Sequence, residues 1–263
     1  MLVLRQHVFF TAFSFVIVGA IQYALVTLSN QVDTRSVFGA LLEQLPPGFQ
    51  TMVSETFLTR MTVGGAAAFG FNHPLVMALL VINAVAIPAR HISGEIENGA
   101  MEWLLALPVR RGRLMVSLWV SASLVSLVTI IGAWAGSFTA LAVTGNLDAA
   151  LARGMIQVGA NLWLLVVLVM SYTMVIASFS RPGAPSGLVA ASVTMVFYFL
   201  YVLRPVWNAI AFLEPVNIFT YYQPQKIVFG ERSFALNAAV LVALIGLCML
   251  VAIRRFARRD IPG

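Results

Sequence analysis

Between Ser93 and Arg113 the sequence reads SGEIENGAMEWLLALPVRRGR. It is the one stretch where three carboxylates, Glu95, Glu97 and Glu102, crowd against three arginines, Arg110, Arg111 and Arg113. Read as a helix, it places Ile96, Ala100, Trp103, Leu104 and Leu107 on one face. Glu95, Asn98 and Glu102 fall on the other, and Glu97 flanks them. Ser93 can cap the first turn, the early glutamates suit the helix dipole, and Pro108 stops the helix after Leu107. What such a face offers is selection of a partner by charge. Two readings stand: a connector lying in lipid headgroups, or a docking helix for a soluble partner. Anionic headgroups would repel the glutamates, which favours the protein partner.

Other chemistry is absent. The apolar runs hold no Asp, Glu, Lys or Arg between their boundaries, whereas ion-coupled carriers keep ionisable residues in the membrane. The only histidines, His7, His73 and His91, stand at the ends of runs, which disfavours an intramembrane serine protease. Asp33, Asp148 and Asp260 are isolated, which leaves no carboxylate cluster for a metal-dependent lipid enzyme. No GxxxxGK[ST] loop is present, so the chain does not hydrolyse a nucleotide by itself. Cys248 is the single cysteine, which rules out an intrachain disulfide.

The elements that carry this segment are membrane spans. In 263 residues, 60% are hydrophobic and 10% charged, and the mean hydropathy is +0.91. Such a chain cannot present a water-facing globular surface. The expected fold is an all-α integral membrane protein with six transmembrane helices, a single domain over residues 1–263. The runs are Val8–Leu28, His73–Ala89, Leu114–Thr144, Met155–Phe179, Ala184–Leu203 and Phe234–Ile253, each able to cross a core of about 30 Å. The first reads as an uncleaved span. The third, of 31 residues, exceeds the core at about 1.5 Å per residue and must tilt or project.

Orientation follows from positive charge. With the amino terminus inside, the inner segments hold Arg5, Arg90, Arg110, Arg111, Arg113, Arg181, Arg254, Arg255, Arg258 and Arg259. The outer ones, although longer, hold Arg35, Arg60, Arg153, Arg204, Lys226 and Arg232. Both termini and segment 93–113 are therefore expected in the cytoplasm. The net charge of +6 reflects this clustering at span ends, and nucleic acid is not an expected partner. The outer segments 29–72 and 204–233 are expected to form short helices at the outer leaflet before spans two and six. The second carries Trp207, Phe212, Phe219, Tyr221 and Tyr222, and aromatic residues at that depth anchor at the interface. Within the spans, Asn83, Asn161 and Tyr172 are read as hydrogen-bonding to neighbouring helices. Gly132 with Gly136, and Gly183 with Gly187 and Ala191, are read as close-packing positions.

The pattern E-x-E-x-G-x-x-E-x-L-L-A-x-P-V-x-R, met here by Glu95, Glu97, Gly99, Glu102, Leu104, Leu105, Ala106, Pro108, Val109 and Arg111, resembles the segment joining the second and third spans of ABC-2 type ABC exporter permeases. NIFTYYQP (217–224) and RRFARRDI (254–261) resemble that family's outer segment and basic ending. Only seven residues precede the first span, fewer than the amphipathic stretch members often carry. The resemblance implies that 93–113 is a coupling helix seated on a separate ABC-type ATP-binding subunit. It assigns coupling roles to Glu95, Glu97, Gly99, Glu102, Trp103, Leu104, Pro108 and Arg111. It also implies a second permease copy or paralogue, with ATP and magnesium on the partner subunit and no cofactor on this chain. The substrate path would lie between spans two and five, with Asn83, Thr194 and Tyr198 as candidate lining. The setting would be a bacterial inner membrane, with lipid as a further partner. Two readings compete: a membrane scaffold that transports nothing, and a membrane enzyme using Tyr221, Tyr222 or Glu214 at the outer surface.

Overall fold

The computed structural model describes residues 2–31, 44, 62–101, 110–181, 183–205 and 207–259. The described residues form helices and turns with no strand: α1 (Leu2–Gln31), α2 (Val63–Phe71), α3 (Pro74–Pro88), α4 (Glu95–Glu97), α5 (Arg111–Val143), α6 (Ala149–Phe179), α7 (Ser186–Leu203), α8 (Pro224–Val228) and α9 (Phe234–Ala257). A π-helical segment, Ala89–Gly94, joins α3 to α4. Six helical segments are long and apolar enough to cross a membrane: His7–Gln31, Val63–Glu97, Arg111–Val143, Ala149–Phe179, Ser186–Leu203 and Phe234–Ala257.

Local signals set the boundaries. Thr62 accepts from the Gly65 amide at 3.1 Å, Asp148 from Leu151 at 2.7 Å and Ser233 from Leu236 at 3.5 Å, each a side-chain N-cap. His73 and Pro74 restart the helix between α2 and α3, His73 Nδ1 accepting from the Leu75 amide at 3.3 Å. Asp148 explains why the fourth span begins six residues before the apolar run suggests.

Two helix pairs carry the bundle. In the first, α1 packs on α5 through glycine: a Cβ on Gly132 would lie 3.0 Å from the Phe15 Cα, and one on Gly136 would lie 2.8 Å from the Gly19 carbonyl carbon. Side chains there are excluded, so the backbones touch and dispersion replaces a hydrophobic drive that lipid cannot supply. In the second pair, three indole N–H groups join α5 to α6. Trp119 donates to Ser171 Oγ at 3.0 Å, Trp163 to the Ser123 carbonyl at 3.0 Å and Trp134 to the Met155 carbonyl at 2.9 Å. These pairings run antiparallel and fix the register of the hairpin.

The expected interhelical hydrogen bonds of Tyr172 and Asn161 are present. Tyr172 pairs with Thr194 of α7, and Asn161 Oδ1 accepts from Asn237 of α9 at 3.5 Å. Gly187 packs its Cα face on Ala89, where a Cβ would sit 3.2 Å from that alanine's methyl.

Contacts sort the span ends into two groups. His7 meets His91, Ser186 bonds Ser93, and Arg259 reaches Ser180, which places these termini at one end with Arg90, Arg110, Arg111, Arg113, Arg254 and Arg255. Asn30 bonds Asn146, and Tyr222 bonds the Phe71 carbonyl at 3.0 Å, which defines the opposite end. Before the last span, short helical turns Asn208–Leu213, Ile218–Tyr221 and α8 cover that second end. Trp207 and Phe212 are exposed there, as an interfacial role expects. Tyr222 is not: it is 1% exposed, and burial holds its hydroxyl well above an ordinary phenol's pKa. Its ring fills core space, and its one polar atom is satisfied by the end of α2.

Candidate functional site: the basic end and the opposite chamber

The acidic segment does not start as the sequence suggests. No new helix is capped at Ser93; the chain stays helical from Pro74 to Glu97, passing from α3 through the π-helical turn into α4. Pro88 lacks an amide hydrogen, so the hydrogen bonding must shift near it, and a π-helical turn accommodates the shift. Ser93 instead accepts a 2.7 Å hydrogen bond from Ser186, which ties the segment to the start of α7. Glu95 and Glu97 are thus carried on a rigid extension of the second span.

The helix then breaks where continuity was expected. Asn98 caps it, and Gly99 turns with φ +72°, its amide donating to the Ile96 carbonyl at 3.3 Å. A left-handed residue after a helix end is a glycine position. The glycine of the pattern therefore has a physical role, and the Asn-Gly pair was its visible signal. Beyond the break, Met101 is buried while Ala100 is exposed, so the amphipathic register drawn through Ala100 does not hold. Glu102, Trp103, Leu104 and Pro108 lie outside the described residues.

The side chains divide by role. Glu97 and Asn98 are exposed, and Ile96 beneath them is buried. Glu95 is held by His91, whose Nδ1 lies 2.7 Å from its carboxylate, and His91 meets the His7 ring edge-on with centroids 5.9 Å apart. Glu97 is therefore the carboxylate of this segment that faces outward without an internal partner among the described residues.

Arg111 is engaged internally. Its guanidinium donates to the Arg259 carbonyl at 2.5 Å. Arg259 in turn donates to the carbonyls of Ala177 and Ser178, both at 3.2 Å, and of Ser180. These are carbonyls at the carboxyl end of α6, of which that of Ala177 also accepts from the Ser180 amide at 3.3 Å, and a cation there complements the helix dipole. Burial, then the nearby Arg255 charge, lowers the Arg259 pKa, yet a guanidinium remains charged. Arg255 lies 4.9 Å over the Phe179 ring. The starts and ends of α5, α6 and α9 are thereby fastened together beside the acidic segment. The sequence placed these arginines by topology alone and gave no sign of the clamp.

At the opposite end lies a chamber of roughly 570 Å³ among the ends of α2, α7 and α8. Phe69, Leu200, Ile210 and Leu213 line it with apolar surface, while Asn72, Arg204, Glu214, Gln223 and Lys226 supply polar groups. Arg204 Nε bonds Glu214 at 3.0 Å. Of the candidate path residues, Asn83 and Thr194 are buried within the chain. The Thr194 hydroxyl is used on Tyr172 and the Ala190 carbonyl. Asn83 Nδ2 has no partner among the described residues. Tyr198 is half-buried, its ring edge-on to Phe219 at 5.5 Å.

The described residues thus give six candidate spans, an acidic extension of the second at the arginine-rich end and a chamber at the far end of the fifth. The family model described as ABC-2 family transporter protein matches residues 3–261. The chain belongs to the ABC-2 transporter family. It is the membrane-spanning permease component of an ABC transporter, a part that transports and does not catalyse. No curated protein matches it. Members of the ABC-2 family work in general with an ATP-binding partner.

Proposed function

We propose that this ABC-2 permease drives export by coupling to a separate ATP-binding subunit through the segment beginning at Glu95, with both termini in the cytoplasm of a bacterial inner membrane. The observation that carries the reading is continuity: Glu97 is exposed at the tip of a helical stretch that runs unbroken from Pro74. A push on Glu97 or Asn98 is delivered to α3 without an intervening loop. Closure of an ATPase dimer, with ATP and magnesium held on that subunit, would thus tilt the second span against the fifth, which it meets at Gly187 and Ser186. A rigid-body tilt at such an interface switches access from one side to the other.

Glu97 and Glu102 are the proposed partners of basic groups on the ATPase, and Trp103 and Leu104 its apolar anchors. Gly99 sets the turn that follows Glu97, and the proposed coupling role extends to Pro108. Glu95, held by His91, and Arg111, held by the carboxy-terminal clamp, position the segment from its two sides. A second copy or paralogue completes the path, which passes Asn83, Thr194 and Tyr198 toward the chamber. Asn83, whose Nδ2 has no partner among the described residues, offers cargo a hydrogen bond.

The test is co-reconstitution of the full chain and its ATP-binding subunit in proteoliposomes. The expected result is an ATPase rate at least several-fold above that of the ATP-binding subunit alone. An unchanged rate in a demonstrably assembled complex would remove the coupling role and favour a scaffold.

A further inference from the structure

The chamber between α2, α7 and α8 is of a size typical for ligand sites, which span about 300–1,000 Å³. Among the described residues its charges do not balance. Arg204 and Glu214 satisfy each other at 3.0 Å. Lys226, the chain's only lysine, lines the same space and forms no ion pair among the described residues. Three residues before it, and in the chamber wall, Gln223 carries a buried Oε1 that accepts no hydrogen bond from the described residues. A buried acceptor without a donor is costly, and so is a half-buried cation without a counter-charge. Phe69, Leu200 and Leu213 add apolar surface to the same space.

We infer that this chamber binds an amphiphile bearing one anionic group with a hydrogen-bond donor beside it. The anion meets Lys226 Nζ, the donor, a hydroxyl or an amine, meets Gln223 Oε1, and the apolar part lies against Phe69, Leu200 and Leu213. Asn217 does not compete for the ligand, because its amide is spent on the Phe197 carbonyl at 2.8 Å and on the Phe219 amide at 3.0 Å. The chemistry is shared by two sources, a glycerol-phosphate lipid headgroup and a free hydroxylated fatty acid. That this amphiphile is cargo rests on the permease reading; that it binds does not.

Calorimetric titration of the full chain, purified in a neutral maltoside detergent without nucleotide or ATPase, separates the two. The probes are dihexanoyl-phosphatidylglycerol, 3-hydroxydecanoate and, as the uncharged control, dihexanoylglycerol. At least one anionic probe is expected to bind about tenfold or more tightly than the control, as a charge-assisted contact would give. Lys226→Gln should abolish that preference and Lys226→Arg should retain it, both with unchanged melting temperature. Binding of phosphatidylglycerol alone identifies a lipid headgroup, binding of the hydroxy acid alone identifies a free amphiphile, and binding of both supports the shared chemistry. Equal affinity for the uncharged control, or wild-type binding by folded Lys226→Gln, overturns the site. Binding that persists while ATPase coupling fails would leave the site standing and remove only the role as cargo.

Discussion

Gly136→Leu is expected to separate α1 from the bundle. A Cβ at Gly136 falls on the Gly19 carbonyl and lies 2.9 Å from the Gly19 Cα. The obstacle is backbone, so no rotamer change relieves it and the helices must move apart. Overpacking of this kind costs about 3 kcal/mol or more, and the loss includes the close contacts that replace hydrophobic association in a bilayer. The melting temperature in detergent should fall by roughly 10 °C on that figure, with much of the protein aggregating on size exclusion. Gly246→Ala is the control: nothing lies within 4 Å of a Cβ at Gly246, so it should melt within about a degree of wild type. Equal melting of Gly136→Leu and wild type would show that α1 does not sit on α5 through these glycines.

The second large effect concerns energy coupling. The double charge reversal Glu97→Lys with Glu102→Lys should bring the ATPase rate of the reconstituted complex down to that of the ATP-binding subunit alone and reduce export at least tenfold. Close charge pairs across interfaces have coupling energies of about 1.5–7 kcal/mol, and reversal replaces attraction with repulsion. Glu97 is exposed and forms no internal pair among the described residues, so reversal at Glu97 should leave folding intact, and the melting temperature of the double variant checks Glu102. Reversing the opposing basic residues on the ATPase should restore activity, a rescue that general destabilisation cannot produce. Wild-type coupling in the double variant would argue strongly against these glutamates as the contact.

Much of this was legible in the sequence because the membrane imposes simple rules. A run such as Phe234–Ile253 has to be helical, since lipid offers its backbone no other partner, and it is. The glycines of α5 read as packing positions and face α1. Where the reading went astray, the information lay in backbone geometry. Arg90 and Ser93 look like the end of a span because they are polar, but helical hydrogen bonding does not depend on side-chain polarity, and the helix continues to Glu97. Asn98-Gly99 carried a stop signal that the amphipathic pattern around it outweighed. Tyr222 resembled an interfacial anchor by its neighbours, yet its burial depends on α2, some 150 residues away in sequence. The clamp of Arg111 and Arg259 on the end of α6 depends on three distant elements converging, which composition and spacing do not encode. The same is true of the chamber, whose walls combine the end of α2 with the distant stretch from Leu200 to Lys226.

The most direct measurement is site-specific photocrosslinking in the intact complex, with a photoreactive residue in place of Glu97 and, at the opposite end, in place of exposed Phe229. An adduct with the ATP-binding subunit from position 97 and none from position 229 is the predicted result. An adduct from 229, or none from 97 in a complex shown to be assembled, would contradict the claim that energy enters through the extension of the second span.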